Sequence, residues 1–100
     1  MEIWKNTGIK KQVIEEIRSL AERYNISRVI LFGSRARGDF YRTSDIDLAV
    51  SGGDYIRLAV DIEEETSTLL HFDIVDLDAV GESELRSCIE REGGILYEKI

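Results

Sequence analysis

Asp45 and Asp47 stand two residues apart in the stretch Ser44-Asp45-Ile46-Asp47-Leu48-Ala49-Val50. Along an extended chain side chains alternate faces with a period of two, so both carboxylates project from the same side. Like charges held that close raise each other's pKa and cost stability until a cation or a donor comes between them. A hard cation with oxygen ligands is the simplest remedy. Mg²⁺ suits the pair because it takes one or two protein carboxylates and fills its octahedron with water and phosphate oxygens. Asp73, between Phe72 and Ile74, is a third carboxylate, set in an apolar run where Asp is disfavoured. If its strand neighbours that of Asp47, three carboxylates share one face. They would then form the donor set of a two-metal site that activates an attacking oxygen and steadies a leaving phosphate.

Taken singly, each residue has a plainer reading. Asp45 fits a turn after Thr43-Ser44, Asp47 an outward position on a half-exposed sheet, and Asp73 ordinary solvent-facing alternation. Asp76, three residues beyond Asp73, points to the opposite face, and Asp73 is preferred to it. Upstream, Gly33-Ser34 opens Ser34-Arg35-Ala36-Arg37-Gly38, a short helical turn with Ser34 as its cap and Gly38 ending it. A glycine lets a phosphate approach the backbone, the serine hydroxyl adds a donor, and Arg35 or Arg37 neutralises the remaining charge. Arg35, Arg37 and Arg42 make a local cationic patch for a small polyanion. Tyr41 is expected to pack rather than to stack on a base, and His71 to be a strand-end residue rather than a ligand, since Mg²⁺ prefers oxygen.

The balance of 13 basic against 20 acidic residues, a net charge of −7, argues against a broad phosphate-neutralising surface for nucleic acid. No apolar run reaches the ~20 residues needed to cross a bilayer. The first residues, Met1-Glu2-Ile3-Trp4-Lys5, lack the apolar core of a secretory signal, and Met1 and Trp4 lie outside every motif and are expected to be mobile. One cysteine, Cys88, permits no internal disulfide and fits a reducing cytoplasm. With 100 residues, no proline and no repeat, residues 1–100 make one domain.

The elements that must hold these residues follow from periodicity. Ile9, Val13, Ile17, Leu20, Ala21 and Tyr24 form one face of a helix from Ile9 to Tyr24, capped by Asn6 or Thr7 and ended at Asn25. Arg28-Val29-Ile30-Leu31-Phe32 and Ile46-Asp47-Leu48-Ala49-Val50 read as strands, the second closed by Ser51-Gly52-Gly53-Asp54. A helix from about Tyr55 to Leu70 puts Leu58, Ala59, Ile62 and Leu69 inward, and Phe72 to Leu77 is a third strand. Glu82 to Glu92, carrying Leu85, Cys88 and Ile89, is a third helix, and Ile95 to Ile100 an edge strand. Strands alternating with helices on so short a chain give a sheet with helices covering one face. Periodicity leaves the strand directions open.

Gly33-Ser34, ten intervening residues and Asp45-Ile46-Asp47 reproduce the Gly-Ser-x₁₀-Asp-x-Asp signature of the DNA polymerase β-like nucleotidyltransferase superfamily. The stretch from Phe32 to Val50 resembles its minimal nucleotidyltransferase (MNT) branch, and Phe72-Asp73-Ile74-Val75 is similar to the family's third-carboxylate strand. The resemblance runs from about Ile9 to Tyr97. It implies an α+β fold, a mixed β-sheet backed by helices with the carboxylates on its exposed face. It also implies that Gly33 and Ser34 hold the triphosphate of ATP, that Asp45 and Asp47 ligate Mg²⁺, and that Asp73 completes the site and helps activate the acceptor. Stand-alone MNT proteins resemble the antitoxins of HEPN/MNT pairs, which adenylylate a tyrosine of the HEPN partner.

The competing expectation is a non-catalytic partner-binding module that neutralises a toxin by contact, since 100 residues offer little surface for recognising an acceptor. A small core and an exposed active face also leave room for association with a second copy.

Overall fold

The computed structural model describes residues 6–99; Met1, Trp4 and Ile100 lie outside them. Helix α1 spans Lys11–Arg23 and buries Val13, Ile14, Ile17, Leu20 and Ala21, the apolar stripe of the sequence. It starts two residues later than expected and takes no side-chain cap. Thr7 is instead buried, its Oγ1 accepting from the Ile9 amide at 3.2 Å, so it closes the turn ahead of the helix. At the far end Asn25 adopts φ +59°, a left-handed conformation that an asparagine tolerates and that stops the helix.

Strands β1 (Arg28–Phe32) and β2 (Ile46–Ser51) pair antiparallel, with Leu31 opposite Leu48 and Phe32 opposite Asp47. Helix α3 (Tyr55–Glu65) then carries the chain over to β3 (Phe72–Asp76), which therefore runs parallel to β2. The final strand β4 (Gly94–Glu98) pairs antiparallel with β1, giving the order β3-β2-β1-β4. The fold is α+β with a mixed sheet, and β4 is the edge strand expected from the sequence.

On one face Ile46, Leu48, Val50, Val29 and Leu31 meet Ile14 and Ile17 of α1 and Leu58 and Ile62 of α3 in the main core. The other face is not bare. Ile30, Phe32 and Ala49 are covered by Leu77 of the short helix α4 (Leu77–Val80) and Ile89 of α5 (Glu84–Glu92). Leu77 had been expected to end a strand. Asp76 turns the chain instead by accepting the Asp78 amide at 3.1 Å, capping α4. The last helix begins at Glu84 rather than Glu82 because Ser83 caps it through the Arg86 amide; Ile89 is buried and Leu85 exposed.

Helix α3 also ends five residues short of Leu70, and Leu69 is fully exposed rather than inward. Its last residues, Glu63-Glu64-Glu65, put three negative charges at the negative end of the helix dipole. Thr66 leaves in an extended conformation with its hydroxyl donating to the Ile62 carbonyl at 2.7 Å. Ser67 then docks on α1, its amide and hydroxyl donating to the Glu16 carboxylate at 2.8 and 2.6 Å. Among the described residues no helix is long and apolar enough to cross a membrane.

Candidate active site

Strand β1 delivers the chain to Gly33, which sits at φ +76°, and the turn α2 (Ser34–Arg37) follows. Gly33, not Ser34, is the residue that caps this turn: its carbonyl accepts the Ala36 and Arg37 amides at 3.1 and 3.0 Å, and no side-chain cap is made. Gly38 ends it in the left-handed region, φ +93°. Glycine at position 33 has a second reason. A Cβ there would collide with Asp47 Oδ2 and lie 3.0 Å from its Cγ, so the missing side chain makes room for the carboxylate of β2.

Asp47 and Asp73 are direct partners across the parallel β2–β3 pair, and side chains of such partners stand on one face. Asp45 immediately precedes β2, where the Ile46 amide donates to the His71 carbonyl at 2.9 Å and fixes the register. Asp45 and Asp73 are exposed; Asp47 is half-buried. Burial pushes the Asp47 carboxyl above the ordinary carboxylate range, and the negative charges of Asp73 and then Asp45 push it further, with Arg37 and Arg35 opposing. Asp47 thus carries the influence of both other aspartates. Among the described residues no three His, Cys, Asp or Glu side chains form a ready-made metal cage. The side chains are nonetheless oxygen donors only and anionic, with Asp45 and Asp73 open to solvent, a set that would suit a hard cation. Mg²⁺ accepts such a partial set and completes it with water and phosphate. Asp76, the alternative on β3, is committed to capping α4.

The two arginines of the turn part company. Arg37 is exposed and pairs with Asp39 at 3.2 Å and with Glu92 of α5 at 3.1 Å, contacts that raise its pKa. Arg35 does not share that surface; it is 1% exposed. Its Nη1 donates to the Thr7 carbonyl at 2.9 Å, its Nε and Nη2 to the Ser44 carbonyl at 3.1 and 2.9 Å, and Nη2 also to the Arg42 carbonyl at 3.2 Å. The guanidinium lies 4.8 Å from the centroid of the Phe40 ring, and burial lowers its pKa against the opposing charge of Asp47. Sequence reasoning saw a cation and missed a staple, because its acceptors are main-chain carbonyls that carry no residue signature. Tyr41 is 80% exposed, so the expectation that it packs fails, while His71 sits just before β3 as expected.

A family model described as "Polymerase beta, Nucleotidyltransferase" matches residues 15–100. Over 80 residues the chain is 38% identical to "Putative protein adenylyltransferase MJ0604" of Methanocaldococcus jannaschii, covering 75% of this chain and 74% of that protein. A crystal structure of a toxin–antitoxin with AMP-PNP is similar with a TM-score of 0.70 at 26% identity, over 86% of this chain and 73% of the other. A structure described as a "putative minimal nucleotidyltransferase" is similar with a TM-score of 0.64 at 31% identity, over 81% and 86% of the two chains. The turn, the paired carboxylates and the mixed sheet lie within the matched span, and the chain belongs to the polymerase-beta nucleotidyltransferase family.

Proposed function

We propose that this nucleotidyltransferase moves AMP from ATP, with Mg²⁺, to a hydroxyl of a protein, and that the acceptor is a tyrosine of a HEPN toxin for which the chain is the antitoxin. The observation that carries the chemistry is Asp47 beside Asp73 at one register position, with Asp45 adding its charge. The likeness to a protein named as an adenylyltransferase supports AMP and a protein acceptor. The likeness to a toxin–antitoxin structure with AMP-PNP supports ATP and a toxin partner.

Gly33 and Ser34 would receive the triphosphate at the open start of α2, and Asp45 and Asp47 would hold the divalent ions. When bound, these ions would offset the negative charge that builds on the phosphates. The acceptor hydroxyl attacks the α-phosphorus in line, its new O–P bond replacing the bond to pyrophosphate, which leaves. Asp73, exposed beside Asp47, would take the hydroxyl proton. Arg35 acts through the loop that presents Asp45, while Arg37, at the surface, is free to exchange its carboxylate partners for phosphate.

The deciding experiment incubates the protein with α-labelled ATP, Mg²⁺ and a HEPN toxin as the proposed partner. Label should pass to the partner, stop with Asp47→Asn or Asp73→Asn, and persist with Asp76→Asn. Transfer that survives Asp47→Asn would refute the assignment, and loss of the partner's toxic activity without ATP would favour neutralisation by contact.

A further inference from the structure

A pocket of about 730 Å³ opens where the loop before β2 meets the loop before β3. Its lining includes buried Ile9, just before α1, and buried Val13 in the first turn of that helix, together with Leu69, which is wholly exposed. Lys10 and Arg42 also line it, both exposed and neither in an ion pair with another described residue. Among the described residues no carboxylate lines it, although the chain has 20 acidic residues in 100. The wall that carries Leu69 is anchored at Ser67 by both oxygens of Glu16 and at Phe72, whose amide donates to Glu63 Oε1 at 3.3 Å. Of the lining residues, Thr43 lies two before Asp45 and His71 two before Asp73, so the pocket adjoins the carboxylates.

From this juxtaposition of an apolar lining, unpaired cations and neighbouring aspartates, we propose that the pocket seats the acceptor polypeptide. The segment it fits pairs carboxylates with Lys10 and Arg42, lays one apolar side chain against Leu69 and Ile9, and carries its hydroxyl across to Asp73. This rests on the reading of the chain as a transferase acting on a protein. Charge complementarity selects the occupant. A chain of net charge −7 repels an acidic segment over most of its surface and accepts it where no described acidic residue lines the surface. An exposed leucine in an apolar lining suits a side chain better than a polyphosphate.

The test uses the full chain and two short fluorescent peptides, each with one leucine and one tyrosine, flanked by glutamates in one and lysines in the other. Without nucleotide, the glutamate peptide should bind at least about tenfold more tightly. Lys10→Glu with Arg42→Glu should reverse that order, and Leu69→Asp should weaken both peptides. In transfer from labelled ATP to the glutamate peptide, these variants should raise KM for the peptide and leave the Mg²⁺-ATP shift in Tm unchanged. Equal binding of the two peptides, or binding indifferent to the substitutions, would overturn the proposal. So would loss of the Mg²⁺-ATP shift, which would give the pocket to the nucleotide. If the variants abolish glutamate-peptide binding but the wild-type chain transfers no label, the docking surface stands and the protein-transferase reading falls.

Discussion

At Asp47 two demands of the site oppose each other, because a carboxylate useful to a cation is held half-buried between two others. A carboxyl whose pKa is raised in the folded chain keeps its proton where the unfolded chain has lost it. Folding then takes up a proton, so stability falls as pH climbs from the ordinary carboxylate range through the raised value. In EDTA, Asp47→Asn should flatten this fall and melt above the wild type at neutral pH; with Mg²⁺ and ATP present it should lose transfer activity by at least about 100-fold, as its proposed role as an ion ligand requires. Melting curves of both proteins from about pH 4 to about pH 8 check the first part; a variant that melts lower throughout would show that Asp47 is structurally needed. Gly33→Ala tests the neighbour. The added Cβ meets Asp47 and must adopt φ +76°, which should destabilise by about 1–3 kcal/mol, read as a lower urea midpoint with an unchanged slope. The aspartates were legible because strand alternation and an apolar setting make an Asp conspicuous. The second duty of Gly33 was not, since the clash arises only between β1 and β2 once they pair.

At the scale of elements, the segment between α2 and β2 has no helix or strand of its own, yet it delivers Asp45. Arg35 supplies its order: one guanidinium takes the carbonyls of Thr7, Arg42 and Ser44. Replacing it by Met leaves those carbonyls without a donor in a buried setting and should cost about 2–4 kcal/mol. Replacement by Lys keeps the charge but loses the planar fork and should recover only part. Hydrogen exchange checks the mechanism: amides from residue 39 to 45 should exchange faster in Arg35→Lys, while β1 and β2 keep their protection. Equal loosening everywhere would make Arg35 an ordinary core residue. Helix α3 shows the complementary lesson about legibility. Leu69-Leu70 continues the apolar rhythm of the helix, so periodicity alone carries it too far. What stops it is the three-glutamate end and the grip of Glu16 on Ser67, a contact between residues 51 apart that no window along the chain can contain.

The whole molecule divides its work between the two faces of one sheet. The larger core, under α1 and α3, holds the strands together without using any aspartate of the site, and the smaller cluster under α4 and α5 leaves the end of the opposite face to Asp47 and Asp73. The parallel pairing that makes those residues partners depends on α3 crossing over the sheet; alternating strands and helices suggested the layers, while the direction of β3 emerged only from the folded path. Because the proposed ligand site stands on central strand β2 and its two neighbours, binding there should stabilise the domain as one unit. At ligand a hundredfold above Kd the linkage is worth about 2.7 kcal/mol, and a domain of this size gains roughly 4–8 °C per kcal/mol. Mg²⁺ and ATP together should therefore raise Tm by about 10 °C or more, with either alone giving far less, because each completes the coordination of the other. Thermal melts over a grid of the two ligands, repeated with Asp45→Asn, would show it: the joint shift should collapse in the variant while its unliganded Tm holds or rises. A full shift from ATP without Mg²⁺, or one insensitive to Asp45, would place nucleotide binding away from the carboxylates.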